Sequence, residues 1–245
     1  MIARVLAPDA HAEGQTLALA ADEAAHLGRV LRLRAGDAVR VFDGRGHEWR
    51  AIVASARGAA VTVTLGAPAA PAAEPPRRYT LAPAVLKGDG TDDVIRDAVM
   101  LGAARLMPFV AARSETRLAT VRRGERSARW QRIAVAAAKQ CGRAVVPAID
   151  PVVDFGAVVT AAADEVRLLL VEPALAADAR PITSVPPPAA VTLAIGPEGG
   201  WTEAEVADAR RLGWTAVRLG ARTVRAAAMA LVVLAACQAV WDEGR

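Results

Sequence analysis

Cysteine and aromatic residues are scarce in this chain, which has two cysteines, one tyrosine and three phenylalanines. Cys141 and Cys237 lack the paired spacing of metal-binding or redox-active cysteines. No apolar run approaches the roughly 20 residues of a membrane span, and the amino terminus, Met1 to Arg4, lacks the apolar core of a signal peptide. We therefore expect a reduced, cytoplasmic protein that does not associate with membranes.

Several catalytic signatures are missing as well. The sequence has no cluster of His, Cys, Asp or Glu with metal-ligand spacing, no nucleophile elbow and no dinucleotide-binding glycine fingerprint. We predict that the protein binds no metal. A nucleotide-dependent oxidoreductase is the function that we expect least.

Charge is modest overall but unevenly distributed. The net charge is +4 over 245 residues. The segment from Arg105 to Arg143, however, contains ten Arg or Lys residues and only two acidic residues, Glu115 and Glu125. A basic segment of this kind is typical of a surface that contacts a phosphate backbone. A solvated, arginine-rich surface explains the same pattern, because arginine stands almost everywhere in place of lysine.

The chain divides at a Pro/Ala-rich stretch, residues 66–76, that is typical of a semi-rigid linker. Before it, short alternating segments and the turn sequence of residues 43–46 predict a small β-barrel with a short helix over residues 26–33. After it, strand and helix candidates alternate, which predicts an α/β domain with a parallel sheet. The strand candidates are residues 79–86, 105–110, 166–171 and 191–195; the helix candidates are residues 91–101, 125–140 and 225–241.

Two glycine turns follow strand-like segments in the second part. The first is Ile195-Gly196-Pro197-Glu198-Gly199-Gly200, and the second is Leu219-Gly220-Ala221-Arg222-Thr223-Val224-Arg225. Thr202 and Glu205 form a capping box, which predicts a helix that starts there and ends at Gly213. Two such loops at the carboxyl ends of neighbouring strands predict a ligand pocket lined by backbone amides, although each loop alone is also explained as a tight turn.

These motifs resemble the signature of the knotted SPOUT methyltransferases. Within them the chain resembles the bacterial family that methylates N3 of a uridine in 16S ribosomal RNA. Further matches, in the expected order, are His26 to Asp37, Lys87-Gly88-Asp89, Arg113-Ser114 and Gln140 to Arg143.

The resemblance implies a trefoil-knotted parallel sheet with helices on both faces, preceded by a PUA-like β-barrel. The expected domains are residues 1–70 for the RNA-binding barrel, 71–76 for the linker and 77–245 for the methyltransferase domain. The resemblance also implies S-adenosyl-L-methionine as cofactor, a homodimer in which the knot helices pack together, and 16S rRNA or the small ribosomal subunit as partner.

The same resemblance assigns site residues. We expect Arg225 to be catalytic by stabilising negative charge that develops on the base, although a structural contact or a phosphate clamp explains this arginine equally well. The expected cofactor-binding residues are Leu193, Ile195, Gly196, Pro197, Glu198, Gly199, Gly200, Leu219, Gly220, Val224 and Arg225. The expected RNA-binding residues are Arg29, Arg32, Arg34, Arg113, Gln140 and Arg143, with Arg29 and Arg32 on one helix face.

The chain departs from the family pattern after Arg225. The family continues with Thr-Glu-Thr-Ala, whereas Ala227 and Ala228 stand here in place of Glu and Thr, and Ala221 replaces a proline. Alanine offers neither a proton acceptor nor a hydroxyl. Two alternatives therefore stay open: an RNA-binding paralogue with weak or no methyl transfer, and a knotted methyltransferase that acts on another RNA such as tRNA.

Overall fold

The computed structural model describes residues 2–57, 60–173, 175 and 178–242. The chain forms two compact units, Met1–Ala73 with Ala138–Val146, and Glu74–Ala137 with Pro147–Arg245. The division after Ala73 falls inside the predicted linker. The return of residues 138–146 to the first unit was not expected from the sequence.

The first unit is built on a five-stranded sheet in the order β1-β3-β4-β5-β2. All neighbouring pairs are antiparallel except β1 and β3. Alternate residues of the strands point into one apolar core, in which Val41 and Val63 are fully buried. Its elements are β1 (Ala3–Leu6), β2 (Thr16–Ala18), α1 (Ala21–Ala25), β3 (Ala38–Phe42), β4 (Glu48–Arg57) and β5 (Ala60–Ala69).

The predicted hairpin turn joins β3 to β4, and the buried Asp43 carboxylate organises it. Asp43 accepts hydrogen bonds from the backbone N–H groups of Arg45 (2.7 Å) and His47 (3.1 Å) and from Nδ1 of His47 (2.9 Å). Burial opposes ionisation of Asp43, but these hydrogen bonds outweigh burial, so the pKa of this carboxyl lies below its usual range.

The short helix of this unit differs from the prediction for residues 26–33. It starts earlier, with α1, continues as a π-helical turn over His26–Val30, and then ends. Arg32 has φ of 55°, the left-handed region, so the inference that Arg29 and Arg32 share a helix face was wrong. Arg29 lies in the π-helical turn and Arg32 lies beyond it.

Residues 138–146 are fixed to the sheet by Arg4. Its guanidinium donates to the carbonyl oxygens of Ala138 (2.7 Å), Lys139 (3.0 Å) and Arg143 (2.9 Å). The same guanidinium forms a bidentate ion pair with the buried Glu48 carboxylate, with Nε to Oε1 at 3.1 Å and Nη2 to Oε2 at 3.0 Å. Because the ion pair uses two of its donors, the arginine is held in the orientation that reaches the three carbonyls.

The second unit contains a seven-stranded sheet in the order β12-β14-β11-β13-β6-β7-β9, and all its pairs are parallel. A two-stranded parallel pair, β8 with β10, lies outside it. The strands are β6 (Arg78–Pro83), β7 (Arg105–Leu106), β8 (Phe109–Val110), β9 (Ala148–Ile149), β10 (Val153–Asp154), β11 (Val166–Leu170), β12 (Arg180–Pro181), β13 (Ala190–Ile195) and β14 (Thr215–Arg218). The helices are α2 (Gly90–Met100), α3 (Leu118–Arg123), α4 (Arg126–Cys141), α5 (Phe155–Ala161), α6 (Glu203–Arg211) and α7 (Ala226–Trp241).

The parallel α/β architecture confirms the prediction for this unit, and most helix and strand limits agree within a few residues. The strand predicted over residues 105–110 is an exception. It is split at Met107 and Pro108, because β7 pairs in the large sheet and β8 pairs with β10. The capping box of α6 is present as predicted, with both reciprocal hydrogen bonds between Thr202 and Glu205.

The last helix, α7, is anchored at its carboxyl end. The Trp241 indole N–H donates to the Val185 carbonyl oxygen (3.1 Å), and the Tyr79 hydroxyl donates to Asp242 (3.0 Å). Burial raises the pKa of the Cys237 thiol in this helix to about 12, so that thiol stays protonated.

Among the described residues, no helix is both long and apolar enough to cross a membrane.

We predict that the Asp43 turn makes the free energy of unfolding decrease as the pH is lowered in the acid range. The folded-state pKa of Asp43 is depressed, so its stabilisation is full above the unfolded-state pKa of about 3.9 and is lost as the pH falls through the folded value. Asp43→Asn should cost about 1–2 kcal/mol at neutral pH. Urea unfolding of wild type and variant between pH 7 and pH 3 should show the two curves converging at low pH. A constant difference would contradict the assignment.

Candidate active site at the ends of three neighbouring strands

The carboxyl ends of β11, β13 and β14 lie side by side at one edge of the large sheet. Leu170 of β11 pairs in register with Ile195 of β13 and with Val217 of β14. The loops that follow these strands enclose a cavity of about 450 Å³. Its walls are Leu170, Val171, Glu172, Pro173, Ile195, Gly196, Pro197, Glu198, Leu219, Arg222, Thr223, Val224, Arg225, Ala226, Ala227 and Met229.

The loop after β13 is held by a tryptophan beneath it. The Trp201 indole is buried, and its N–H donates to the Leu170 carbonyl oxygen (2.7 Å) at the end of β11. A Cβ atom at Gly196 would lie 2.8 Å from the Trp201 ring. Glycine is therefore required there, because only a residue without a side chain allows the backbone to pass so close to the indole.

The outer side of the same loop is held by residues that follow β8. Arg113 donates to the Trp201 carbonyl oxygen (3.1 Å), and a Cβ atom at Gly199 would lie 2.8 Å from the Arg113 carbonyl oxygen. The Ala112 N–H donates to Glu205 (2.9 Å), the same carboxylate that completes the capping box of α6. The loop thus has contacts on both sides that fix its backbone.

Among the described residues, two carboxylates and two guanidinium groups line the cavity. Glu198 is exposed and accepts a hydrogen bond from the Lys87 N–H (3.1 Å), whereas Glu172 is half-buried. Arg222 and Arg225 are exposed, on the side formed by the loop before α7. The cavity therefore offers acceptors and cationic donors to a ligand that carries both kinds of group.

Seven of the predicted cofactor residues line this cavity and four do not. Leu193 is buried inside β13, and Gly199, Gly200 and Gly220 are not among the described lining residues. Gly199 and Gly200 instead permit close packing, against Arg113 and Glu172 respectively. The seven that line the cavity are Ile195, Gly196, Pro197, Glu198, Leu219, Val224 and Arg225.

The structure adds a third wall that the sequence analysis missed, residues 170–173 at the end of β11. The apolar strand itself was predicted, but its position between β13 and β14 depends on strand order, which the sequence pattern does not reveal. Arg222, Thr223, Ala226, Ala227 and Met229 also line the cavity and had no assigned role. Ala227, one of the three departures from the family pattern, thus lines the candidate site.

The predicted RNA-binding residues have different surroundings. In the first unit, Arg29, Arg32, Arg34 and Gln140 are exposed, whereas Arg143 is 3% exposed and offers little surface to a phosphate. Arg113, in the second unit, holds the glycine loop through its hydrogen bond to Trp201. For Arg113 the observed contact is structural.

No group of three or more His, Cys, Asp or Glu side chains in the described part of the chain is arranged to hold a metal ion.

Known proteins are similar to this chain in both of its parts. A sequence profile described as "RNA methyltransferase domain" matches residues 73–238, and one described as "RNA methyltransferase PUA domain" matches residues 19–65. The ribosomal RNA small subunit methyltransferase E of Synechocystis sp. is 34% identical over an alignment of 245 positions, which covers 97% of this chain and 77% of that protein.

The chain belongs to the ribosomal RNA small subunit methyltransferase E family.

Solved structures support the family assignment and the SPOUT fold. A methyltransferase of Legionella pneumophila, solved in complex with the cofactor SAM, has a TM-score of 0.91 at 27% identity, with 98% of each chain covered. A family member from Neisseria gonorrhoeae, bound to S-adenosyl methionine, has a TM-score of 0.89 at 29% identity, again with 98% of each chain covered.

We predict that Gly196→Ala destabilises the protein because the added methyl group forces the Trp201 indole out of its place. Overpacking of this kind costs about 1–3 kcal/mol, and we expect a melting temperature several degrees lower by calorimetry. Gly28→Ala is the matched control, since a Cβ atom there meets only Val61 at 3.8 Å, an ordinary contact. A wild-type melting temperature for Gly196→Ala would contradict the packing argument.

Proposed function

We propose that this protein transfers a methyl group from S-adenosyl-L-methionine to N3 of a uridine in the 16S rRNA of the small ribosomal subunit. The observation that carries the proposal is the cavity at the three strand ends, bounded by the glycine loop on one side and by Arg225 and the start of α7 on the other. Family membership supports the reaction class.

The cavity suits the chemical groups of this cofactor. Gly196 lines the cavity, and because it has no side chain a ligand can approach its backbone amide and carbonyl closely. Arg222 and Arg225 offer charge-assisted hydrogen bonds to a carboxylate, and the amino end of α7 beside them favours an anion. The bound cofactor would supply an electrophilic methyl group on a sulfonium.

The chain's own residues would then act on the base. N3 of uridine carries a proton and is mostly neutral near physiological pH, so the site must favour loss of that proton and aim N3 at the methyl group. Arg225 lines the cavity at the start of α7 and is exposed. Its guanidinium can donate to a uracil carbonyl oxygen, where negative charge develops as the proton leaves.

The exposed arginines of the first unit are the proposed RNA contacts. Arg29, Arg32 and Arg34 lie in a short segment in which Val30 is 67% exposed and Leu31 is 42% exposed. Guanidinium groups donate two parallel hydrogen bonds to phosphate oxygens, and the PUA profile match that spans this segment favours an RNA surface. A protein that acts on ribosomal RNA would work in the cytoplasm.

We also propose that the protein is a homodimer through α7. This helix leaves Leu231, Val232 and Val240 exposed, at 42%, 37% and 39%, together with Ala235 and Ala239. The exposed residues recur at spacings of three and four, so they form an apolar face on a helix whose opposite side is already buried. A second copy of α7 would remove this face from water.

An RNA-binding protein with weak or no methyl transfer is the second candidate, and Ala227 is the observation that favours it. This residue lines the cavity where the family pattern has a glutamate, and its methyl group can neither accept a proton nor form a hydrogen bond. A methyltransferase acting on tRNA is a further alternative, which a change of RNA substrate would reveal.

A methyl-transfer assay tests the proposed function. Purified protein is incubated with labelled S-adenosyl-L-methionine and small ribosomal subunits from cells that lack the endogenous activity, and the product nucleoside is identified by mass spectrometry. We expect label in 3-methyluridine. RNA binding without transfer would favour the second candidate, and label only in added tRNA would favour the third.

The same assay tests the role of Arg225. We expect Arg225→Ala to lower the rate constant of transfer about 10²- to 10³-fold, the usual effect of removing a donor from a developing anion. Arg211→Ala is the control, because Arg211 lies on α6, pairs with Asp208 (2.8 Å) and is not a lining residue. Equal rates for the two variants would contradict the assignment.

The dimer is tested by light scattering after size-exclusion chromatography. We expect wild type at twice the chain mass of 25.4 kDa and Leu231→Glu at the monomer mass, because the charge would be buried in the apolar interface. Leu212→Glu is the matched control, since Leu212 is 41% exposed and follows α6 rather than lying on α7. A monomeric wild type, or a dimeric Leu231→Glu, would overturn this proposal.

A further inference from the structure

Glu172 is a carboxylate with no partner among the described residues. The Leu175 N–H donates to the Glu172 backbone carbonyl (3.0 Å), but no described side chain or backbone N–H donates to the side-chain carboxylate, although the residue is half-buried and lines the cavity. Its Oε1 atom lies over the glycine loop, 2.9 Å from the position that a Cβ atom at Gly200 would occupy. The absence of a side chain at Gly200 therefore leaves room for the Glu172 carboxylate beyond the carboxyl end of β11. An acceptor held in a pocket without a donor is suited to a ligand that brings one.

The position of Glu172 is central in the site. It follows β11, which lies between β13 and β14 in the sheet. The glycine loop follows β13 on one side, and the loop carrying Arg222 and Arg225 follows β14 on the other. Since neighbouring strands lie about 4.8 Å apart, the three strand ends span about 10 Å, and Glu172 lies near the middle of that span.

The order of the chemical groups along the proposed cofactor matches the order of the three strand ends. Its adenine and its methionyl arm are joined through the ribose, which is therefore the middle of the molecule. The glycine loop suits the flat adenine, and the two arginines suit the carboxylate of the arm. With the two ends assigned to the outer strands, the ribose falls opposite the middle one.

We propose that the Glu172 carboxylate accepts hydrogen bonds from the ribose hydroxyls of the cofactor. This inference rests on the proposed function, because it presupposes a nucleoside in this cavity. A vicinal diol presents two O–H donors, and an ionised carboxylate is an acceptor with two oxygens. An acidic residue beyond the end of a strand next to a glycine loop recognises ribose in the same way in dinucleotide-binding folds.

Glu198, the other carboxylate of the cavity, is less suited to this role. It is exposed, and Oε1 already accepts the hydrogen bond from the Lys87 N–H (3.1 Å). It also follows β13, an outer strand of the three.

Calorimetric titration of the full-length protein tests the proposal without any methyl transfer. The ligands are S-adenosylhomocysteine, 5′-methylthioadenosine, which lacks the amino-acid arm, and 5′-methylthio-2′-deoxyadenosine. We expect Glu172→Gln to weaken the first two about 10-fold, because a charge-assisted hydrogen bond becomes a neutral one. The deoxy ligand should lose clearly less. Glu165→Gln, just before the opposite end of β11 and exposed, should bind all three like wild type.

Each other outcome overturns a defined claim. A loss for S-adenosylhomocysteine but not for 5′-methylthioadenosine would mean that Glu172 contacts the amino-acid arm, and the ribose assignment would be wrong. Equal affinities of wild type and Glu172→Gln for every ligand would also overturn it, while leaving the proposed function intact. A wild type that binds none of the ligands would overturn the proposed function itself. If Glu172→Gln fails to fold, Glu172→Asp, which keeps the charge but shortens its reach, should give the same ligand pattern.

Discussion

The packing of the Trp201 indole beneath the glycine loop is the contact on which the site depends. The indole N–H bonds to the last residue of β11, and the ring supports the backbone of the loop that follows β13. The ring also packs against Phe109 and Phe155, with centroid distances of 5.9 and 4.7 Å. One side chain thus joins two of the three strand ends to the apolar core. A loop fixed in this way can present backbone groups to a ligand without first becoming ordered.

The wall formed by the loop after β14 and the start of α7 is organised differently. The loop after β14 leads directly into α7, whose carboxyl end is anchored through Trp241 and Asp242 while its amino end borders the cavity. The same helix, α7, is therefore anchored to the rest of the unit at its carboxyl end and forms part of the cavity at its amino end. The exposed apolar face belongs to the same helix, so a dimer interface on α7 would be formed by the helix that also lines the cavity. Ala227 belongs to this wall, and alanine adds no charge there. The charged groups among the described lining residues are Arg222, Arg225, Glu172 and Glu198.

Local features of the site could be predicted from the sequence. The glycine loop and the capping box formed by Thr202 and Glu205 are encoded by residues within a few positions of one another, and the structure contains both. Features that depend on distant contacts were missed. Glu172 belongs to the site only because β11 lies between β13 and β14.

Long-range packing also overrode local pattern elsewhere. Arg143 matched a motif, yet it belongs to the segment that Arg4 draws against the first sheet, and it is buried. The helix predicted over residues 26–33 ends at Val30, and Arg32 takes a left-handed conformation that periodicity alone does not predict. The trefoil knot remains a prediction from family resemblance.

The most direct test of the central claim is a crystal structure of the protein with S-adenosylhomocysteine. We predict ligand density in the cavity, with the adenine at the glycine loop after β13, the ribose opposite Glu172 and the amino-acid arm toward Arg222 and Arg225. Density at another surface, or a ribose remote from the end of β11, would contradict the account.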